Sequence, residues 1–109
     1  MVWRIQDRAT FQALRRSDRR ARRGPVTVTY APIGQAPEPR VAYAVGKRVG
    51  KAVVRNRLRR QLRAAVAGVS DLEPGAYLVV ADHGATRLSY EDLRTKVATA
   101  MTAASGGRR

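Results

Sequence analysis

The chain has 109 residues, 44% of them apolar, with a formal net charge of +14. This length and composition favour one domain with its own hydrophobic core. No cysteine and a single histidine exclude disulfides, thiolate metal sites and multi-histidine metal sites. No apolar run approaches the roughly 18 residues that span a bilayer, and no secretory signal opens the chain. We therefore expect a cytoplasmic protein that is not a membrane protein. Its charge favours nucleic acid as the partner, and an anionic membrane surface is the weaker alternative.

The first half of the chain predicts one helix and one strand. Apolar residues at helical spacing indicate a helix over residues 7–20, with Asp7 as its N-cap. Alternating valine and threonine indicate a half-buried strand over 26–30. Residues 31–39 hold three of the five prolines and are predicted to form a loop.

The second half predicts two strands and two helices. We expect a strand over 40–45, a basic turn between Gly46 and Gly50, and a helix over 51–67. The continuous apolar run 76–81 indicates a central strand. Ser89 is a suitable N-cap for a last helix over 90–101. The order of elements predicts an α+β domain with helices packed against one sheet.

The segment 46–63 is the most informative part of the chain. It contains eight cations and no carboxylate. Val54, Leu58 and Leu62 lie four residues apart and predict a buried stripe, so the segment is a docked helix rather than a disordered tail. Because no glutamate compensates the repulsion between the arginines, the outer face is predicted to meet a polyanion. Asn56, between Arg55 and Arg57, adds a donor and an acceptor suited to a base edge or a 2′-hydroxyl, or else serves as a cap.

Aromatic side chains offer a second candidate surface. Phe11 and Tyr43 are candidates either for base stacking or for core packing, with neither favoured. Tyr30, at a strand end, is predicted to be exposed. Catalytic residues are not apparent: Asp82 and His83 are sequence neighbours rather than a dyad, and the basic segment lacks the acids of a metal-dependent nuclease. A general RNA-structural protein and a stand-alone nuclease remain alternative classes.

The run VGKRVGKAVVRNRLRRQLR, residues 45–63, strongly resembles the signature of the bacterial ribonuclease P protein subunit. The flanking segments agree, so the resemblance covers nearly the whole chain. It implies a single-domain α-β-β-β-α-β-α sandwich with a four-stranded sheet and a left-handed βαβ crossover, as in the second domain of ribosomal protein S5. The strand that the pattern does not reveal is expected near 20–24 or as a split of 26–30. We assign residues 1–104 to this domain and 105–109 to a disordered tail.

The resemblance also implies partners and chemistry. The partners are the catalytic ribonuclease P RNA, with one protein per RNA, and precursor tRNA. The RNA would hydrolyse the substrate with Mg²⁺, so the protein alone is expected to have no catalytic residue, metal ligand or cofactor. The protein would bind the 5′ leader of the precursor and raise the affinity for substrate and Mg²⁺.

Site residues follow from the same resemblance. Those expected to contact the RNA subunit are Lys47, Arg48, Lys51, Arg55, Asn56, Arg57, Arg59, Arg60 and Arg63. Those expected to line a leader-binding cleft between the first helix and the sheet are Phe11, Arg15, Tyr30 and Tyr43. The chain departs from the family pattern at Arg15, where a second aromatic is usual, and at Asp82-His83, where basic residues are usual.

Overall fold

A computed structural model describes residues 8–32 and 39–106, together with the backbone of residues 3–4. The strands and helices follow one another along the chain in the order β1 (Trp3–Arg4), α1 (Arg8–Arg16), β2 (Arg19–Arg23), β3 (Val26–Ala31), β4 (Arg40–Val45), α2 (Ala52–Ala67), β5 (Ala76–Ala81) and α3 (Tyr90–Ala104). Two short 3-10 helices, Lys47–Val49 and His83–Arg87, follow β4 and β5.

The strands form one mixed sheet in the order β1-β4-β5-β3-β2. β5 lies at its centre, parallel to β4 and antiparallel to β3. The outer strand β2 pairs antiparallel with β3, with Arg19 opposite Tyr30 and Arg23 opposite Val26. β4, α2 and β5 therefore form a β-α-β unit. This unit contains the crossover connection that the resemblance implies to be left-handed.

The main core lies between the sheet and the helices α2 and α3. Residues of one parity along β3, β4 and β5 enter it, because successive side chains of a strand point to opposite faces. The helices supply Leu58 and Leu62 from α2 and Leu93 and Val97 from α3, all at most 2% exposed. Among the described residues, most of the buried apolar side chains therefore lie on one side of the sheet.

α1 packs on the opposite face of the sheet. Its buried Leu14 meets Ala31 and Ala76, which are paired with each other at one end of β3 and β5. Thr27 and Val80, paired at the other end, remain partly exposed. α1 thus covers only one end of this face, and the remaining surface beside it is open.

The expected fold class is confirmed. The fourth strand, expected near 20–24, is β2, and β1 adds a two-residue strand at the sheet edge. The strands predicted over 40–45 and 76–81 match β4 and β5 to the residue. The predicted N-cap of the last helix is also confirmed, since Ser89 Oγ accepts the backbone N–H of Asp92 at 3.1 Å.

The first helix is shorter than expected. It ends at Arg16, so the prediction of helix through residue 20 is wrong. Ser17 ends it: its hydroxyl donates to the carbonyl of Tyr30 and accepts the N–H of Arg19 at 3.1 Å, which starts β2 against β3. The proposed cap Asp7 and loop residues 33–38 lie outside the described residues.

The last helix is longer than expected, and the predicted tail begins too early. α3 continues to Ala104, and Ser105 is only 8% exposed. The carbonyl of Ser105 accepts a hydrogen bond from Arg19 Nη2 at 2.6 Å. Ser105 therefore belongs to the folded domain, whereas residues 107–109 lie outside the described part of the chain.

Candidate nucleic-acid interface

A continuous basic surface runs from the end of β4 along α2. We call it the α2 surface, and it consists of Lys47, Arg48, Lys51, Arg55, Asn56, Arg57, Arg59, Arg60 and Arg63. All of these side chains are exposed except Arg55 and Arg59, which are half-buried. The structure thus brings together every residue that was expected to contact the RNA subunit.

The loop before α2 is anchored by one buried side chain and one glycine. Val49 is 5% exposed and holds the 3-10 helix on the core, so that Lys47 and Arg48 stay outside. Gly50 has φ +156°, and a Cβ there would lie 3.2 Å from Val54. A side chain at this position would therefore be strained by its backbone and crowded by α2.

The buried stripe of α2 differs from the prediction at its first position. Leu58 and Leu62 are buried as expected, but Val54 is 36% exposed and the stripe continues instead through Ala65 and Val66. Val54 lies against Gly50 and outside the main core, since its nearest side-chain atoms are 3.2 Å from where a Cβ on Gly50 would be.

The cations of the α2 surface lack acidic partners. Within the described ranges none of them makes an ion pair with a carboxylate. Two are bound to the protein's own backbone: Arg55 Nε donates to the carbonyl of Gly50 at 3.1 Å, and Arg59 Nη2 donates to that of Val45 at 3.5 Å. The remaining cations form an uncompensated positive field that favours a polyanion.

Phe11 and Arg15 lie together on the other side of the sheet. They occupy one row of α1, beside the row of Thr10 and Leu14 that faces the sheet. Phe11 is 38% exposed, and with Arg8, Gln12 and Arg15 it lines a cavity of about 300 Å³. An exposed aromatic ring between two arginines fits an unpaired base with its phosphates.

Tyr30 does not join this group, and the prediction that it is exposed is wrong. It is 4% exposed and lies in the core with α2 and α3, its ring 4.9 Å from that of Tyr77. Its hydroxyl donates to the carbonyl of Pro74 at 2.5 Å, and the Arg19 guanidinium covers its ring. Burial raises the pKa of Tyr30. Gly75, at φ +137°, leaves room for this ring, since a Cβ there would lie 2.8 Å from it.

Tyr43 also lies on the α2 side of the sheet, away from Phe11. It is half-buried against the main core, with the guanidinium of Arg63 5.9 Å from its ring centroid. Burial raises its pKa, and the charge of Arg63 opposes that shift. Of the four residues expected in the leader cleft, the structure therefore groups Phe11 with Arg15 and separates both tyrosines from them.

The sequence interpretation missed two arginines of β2. Arg20 lies on the α1 side of the sheet, where its Nε donates to Thr29 Oγ1 at 3.4 Å. Arg22, two residues on and on the same face, lies 3.5 Å from Asp82 in an exposed ion pair. The arginines between residues 19 and 23 were the signal available in the sequence. Which of them share a face of the sheet can be told only once the segment is known to be a strand.

Asp82 has a structural role in this chain. Its Oδ1 accepts the N–H of Gly84 at 2.9 Å, capping the 3-10 helix that follows β5. Within the described ranges, no three histidine, aspartate or glutamate side chains are grouped to hold a metal ion. Within the same ranges, no helix is long and apolar enough to cross a membrane.

Comparison with known families gives one clear match. A family model described as Ribonuclease P matches residues 2–105. The chain is 38% identical to the ribonuclease P protein component of Thermobifida fusca, over 96% of this chain and 78% of the relative. It is 45% identical to that of Thermus brockianus, over 87% of this chain and only 55% of that longer relative.

Solved structures show the same fold. A Staphylococcus aureus RNase P protein, a mutant with defective mRNA degradation activity, superposes with a TM-score of 0.84 at 20% identity. It covers 94% of this chain and 88% of its own length. The RNase P protein of Thermotoga maritima gives a TM-score of 0.77 at 19% identity, over 90% of this chain and 94% of that one.

Proposed function

The chain belongs to the ribonuclease P protein family, since the family model matches residues 2–105, and we propose that it acts as the protein subunit of a ribonuclease P ribonucleoprotein. In this role it binds the catalytic RNA and the 5′ leader of precursor tRNA. The product is a tRNA with a mature 5′ end. By holding both RNAs, the protein raises the affinity of the complex for substrate and for Mg²⁺.

The observation that carries the proposal is the α2 surface. Eight cations and one amide lie on one rigid helix and its preceding loop, with no described carboxylate bound to them. The planar guanidinium of arginine can bind a phosphate through two hydrogen bonds at once, and each such contact releases counterions from the RNA. A packed helix with this outer face is suited to bind a folded RNA rather than a small anion.

The leader is assigned to the other side of the sheet. There α1 presents Phe11 and Arg15 next to the open part of the sheet face, which Arg20 and Arg22 border. The aromatic ring stacks on an unpaired base, while the guanidinium groups neutralise the leader phosphates. Because α1 and α2 lie on opposite faces, the protein contacts the leader and the catalytic RNA at the same time.

The hydrolytic chemistry is assigned to the RNA. The described residues contain no group of three acidic or histidine side chains that could hold Mg²⁺, which supports placing the reactive metal ions on the RNA. The protein contributes positive charge and position, and its effect is largest where Mg²⁺ is scarce.

Cleavage of precursor tRNA at low Mg²⁺ tests this proposal. A bacterial ribonuclease P RNA is assayed with and without the protein, and the protein is assayed alone. We expect the protein to restore cleavage at the mature 5′ end and to be inactive without RNA. Binding of RNA without any gain in cleavage, across several such RNAs, would favour a general RNA-structural protein. Cleavage by the protein alone would indicate a nuclease.

The leader assignment has its own test. Phe11→Ala should weaken binding of precursor tRNA to the reconstituted complex by about 1–3 kcal/mol, the range for one base stacked on an aromatic ring. Binding of mature tRNA, which lacks the leader, should not change. Tyr90→Ala is the control, since it also removes an aromatic ring, and Tyr90 is similarly exposed (41%) and lies on α3. Equal losses for precursor and mature tRNA would remove Phe11 from the leader site.

A further inference from the structure

Arg59 makes two contacts at once on the α2 surface. Its Nη2 donates to the carbonyl of Val45 at 3.5 Å, at the end of β4. Its Nη1 donates to Oδ1 of Asn56 at 3.1 Å, one turn earlier on α2. The guanidinium therefore links the end of a core strand to an exposed amide.

This contact fixes the orientation of the Asn56 amide. A guanidinium can only donate hydrogen bonds, so the atom of Asn56 that faces Arg59 must be the oxygen. The two N–H donors of the amide then point away from Arg59. The side chain is exposed, and in the described part of the chain these donors have no acceptor.

We infer that Arg59 is a positioning residue, which holds Asn56 with its amide donors directed toward the bound RNA. This inference depends on the proposed function, because the RNA subunit supplies the acceptor. The acceptor is an oxygen of the RNA backbone, either a phosphate oxygen or a 2′-hydroxyl. The cations of the α2 surface thus divide into those that face the RNA, such as Arg57 and Arg60, and those directed to the protein backbone, Arg55 and Arg59.

A double-mutant cycle tests the pair. Asn56→Ala removes the donors, and Arg59→Met removes the link while keeping the length of the side chain. We expect Asn56→Ala to weaken binding to a bacterial ribonuclease P RNA by about 5- to 10-fold in the wild-type background, the range for one hydrogen bond. In the Arg59→Met background the same change should have less than a twofold effect. Independent, additive losses would overturn the inference.

Arg59→Lys separates positioning from charge. Lysine keeps the positive charge, but its single ammonium cannot span both acceptors, so we expect it to lose nearly as much affinity as Arg59→Met. Arg94→Lys is the matched control, since it is the same exchange at an exposed arginine of α3, outside the α2 surface. Full affinity in Arg59→Lys would show that only the charge matters. Thermal melting of each variant separates loss of binding from loss of folding.

The salt dependence gives a readout that a purely structural role would not change. If Arg59 faces the protein, Arg59→Met should leave the slope of log affinity against log salt unchanged, whereas Arg57→Met should reduce it by about one contact. Pools of RNA with random 2′-deoxy or phosphorothioate substitutions then identify the acceptor. It is the nucleotide at which a substitution weakens binding of the wild-type protein but not of Asn56→Ala. If no such position exists in either RNA pool, the inference fails. Failure of the wild-type protein to bind any such RNA would instead refute the proposed function.

Discussion

At the scale of single residues, the tyrosines of the sheet show how burial sets chemistry. Tyr77 is fully buried in the central strand, and its hydroxyl donates to the carbonyl of Glu73 at 2.7 Å. Burial, which penalises the phenolate, raises its pKa to about 12 from the ordinary value of 10.0. Tyr77 is therefore a structural side chain whose protonated form the fold requires.

This shift predicts alkaline destabilisation. Because the folded pKa is raised, Tyr77 contributes its full stability below pH 10, and the contribution is lost as the pH rises from about 10 to about 12. The free energy of unfolding should fall across that window by up to about 2 kcal/mol more in the wild type than in Tyr77→Phe. Urea titrations at pH 9, 10.5 and 11.5 measure this difference. Parallel losses in both proteins would contradict the assignment.

Arg57 gives a second prediction at this scale. It is exposed on α2 and makes no described contact with the protein, so its guanidinium is free to bind phosphate. Arg57→Ala should weaken binding to the ribonuclease P RNA by about 1–3 kcal/mol, the range for a charged hydrogen bond. Filter binding against Arg94→Ala, an exposed arginine of α3, measures the difference. A loss of equal size in both variants would assign the effect to net charge alone.

At the scale of elements, the boundary between α1 and β2 depends on one hydroxyl. Ser17 donates to the carbonyl of Tyr30 and accepts the N–H of Arg19, joining the end of the helix to the first pair of the β2–β3 ladder. Five residues of β2 then pair in register with β3. A short polar side chain that bonds to nearby backbone stops a helix in this way.

Ser17→Ala should therefore destabilise the protein by about 1–3 kcal/mol, since it leaves backbone groups at this junction without a partner. Ser70→Ala is the matched control, because Ser70 is exposed and makes no described side-chain bond. Chemical denaturation of the two variants provides the comparison. A change below about 0.5 kcal/mol for Ser17→Ala would show that pairing with β3 alone sets the boundary.

The same elements show what could be predicted from the sequence. β4 and β5 were predicted to the residue because apolar alternation and a continuous apolar run are local patterns that indicate buried strands. The apolar pattern did not reveal β2, which only the resemblance placed near 20–24, because Arg19–Arg23 contains one apolar residue. Its extended state comes from pairing with β3. Local pattern therefore predicted the buried strands, whereas the edge strand depends on tertiary contacts.

The candidate site was predicted unevenly for a related reason. The residues of the α2 surface lie on one helix and in the short segment just before it, so closeness in sequence and helical spacing place them together. The expected leader cleft lies between a helix and the sheet. The face of the sheet on which α1 packs therefore determines which side chains can line the cleft. Tyr30 shares the parity of the core residues Val26 and Val28, and Tyr43 that of Val41 and Val45. That parity was visible in the sequence, but not which face α1 would cover.

At the scale of the whole molecule, basic residues lie on both sides of one sheet. α2, with its uncompensated cations, packs on one face, and α1 with Phe11 and Arg15 packs on the other. Counterions must leave the RNA at each contact that forms, so the number of contacts determines how strongly salt weakens binding. The net charge of +14 therefore predicts that the affinity for RNA falls measurably as the salt concentration rises.

Six exposed cations of the α2 surface are free of backbone contacts: Lys47, Arg48, Lys51, Arg57, Arg60 and Arg63. If most of them meet phosphates, log affinity for the ribonuclease P RNA should fall with log salt with a slope of about −4 to −5. A fourfold rise in salt would then reduce the affinity by about 10³. Titrations at four salt concentrations, with Arg94→Ala as a charge control that keeps the slope, measure it. A slope near zero would mean that the α2 surface is only solvated, and the proposed RNA contact would have to be abandoned.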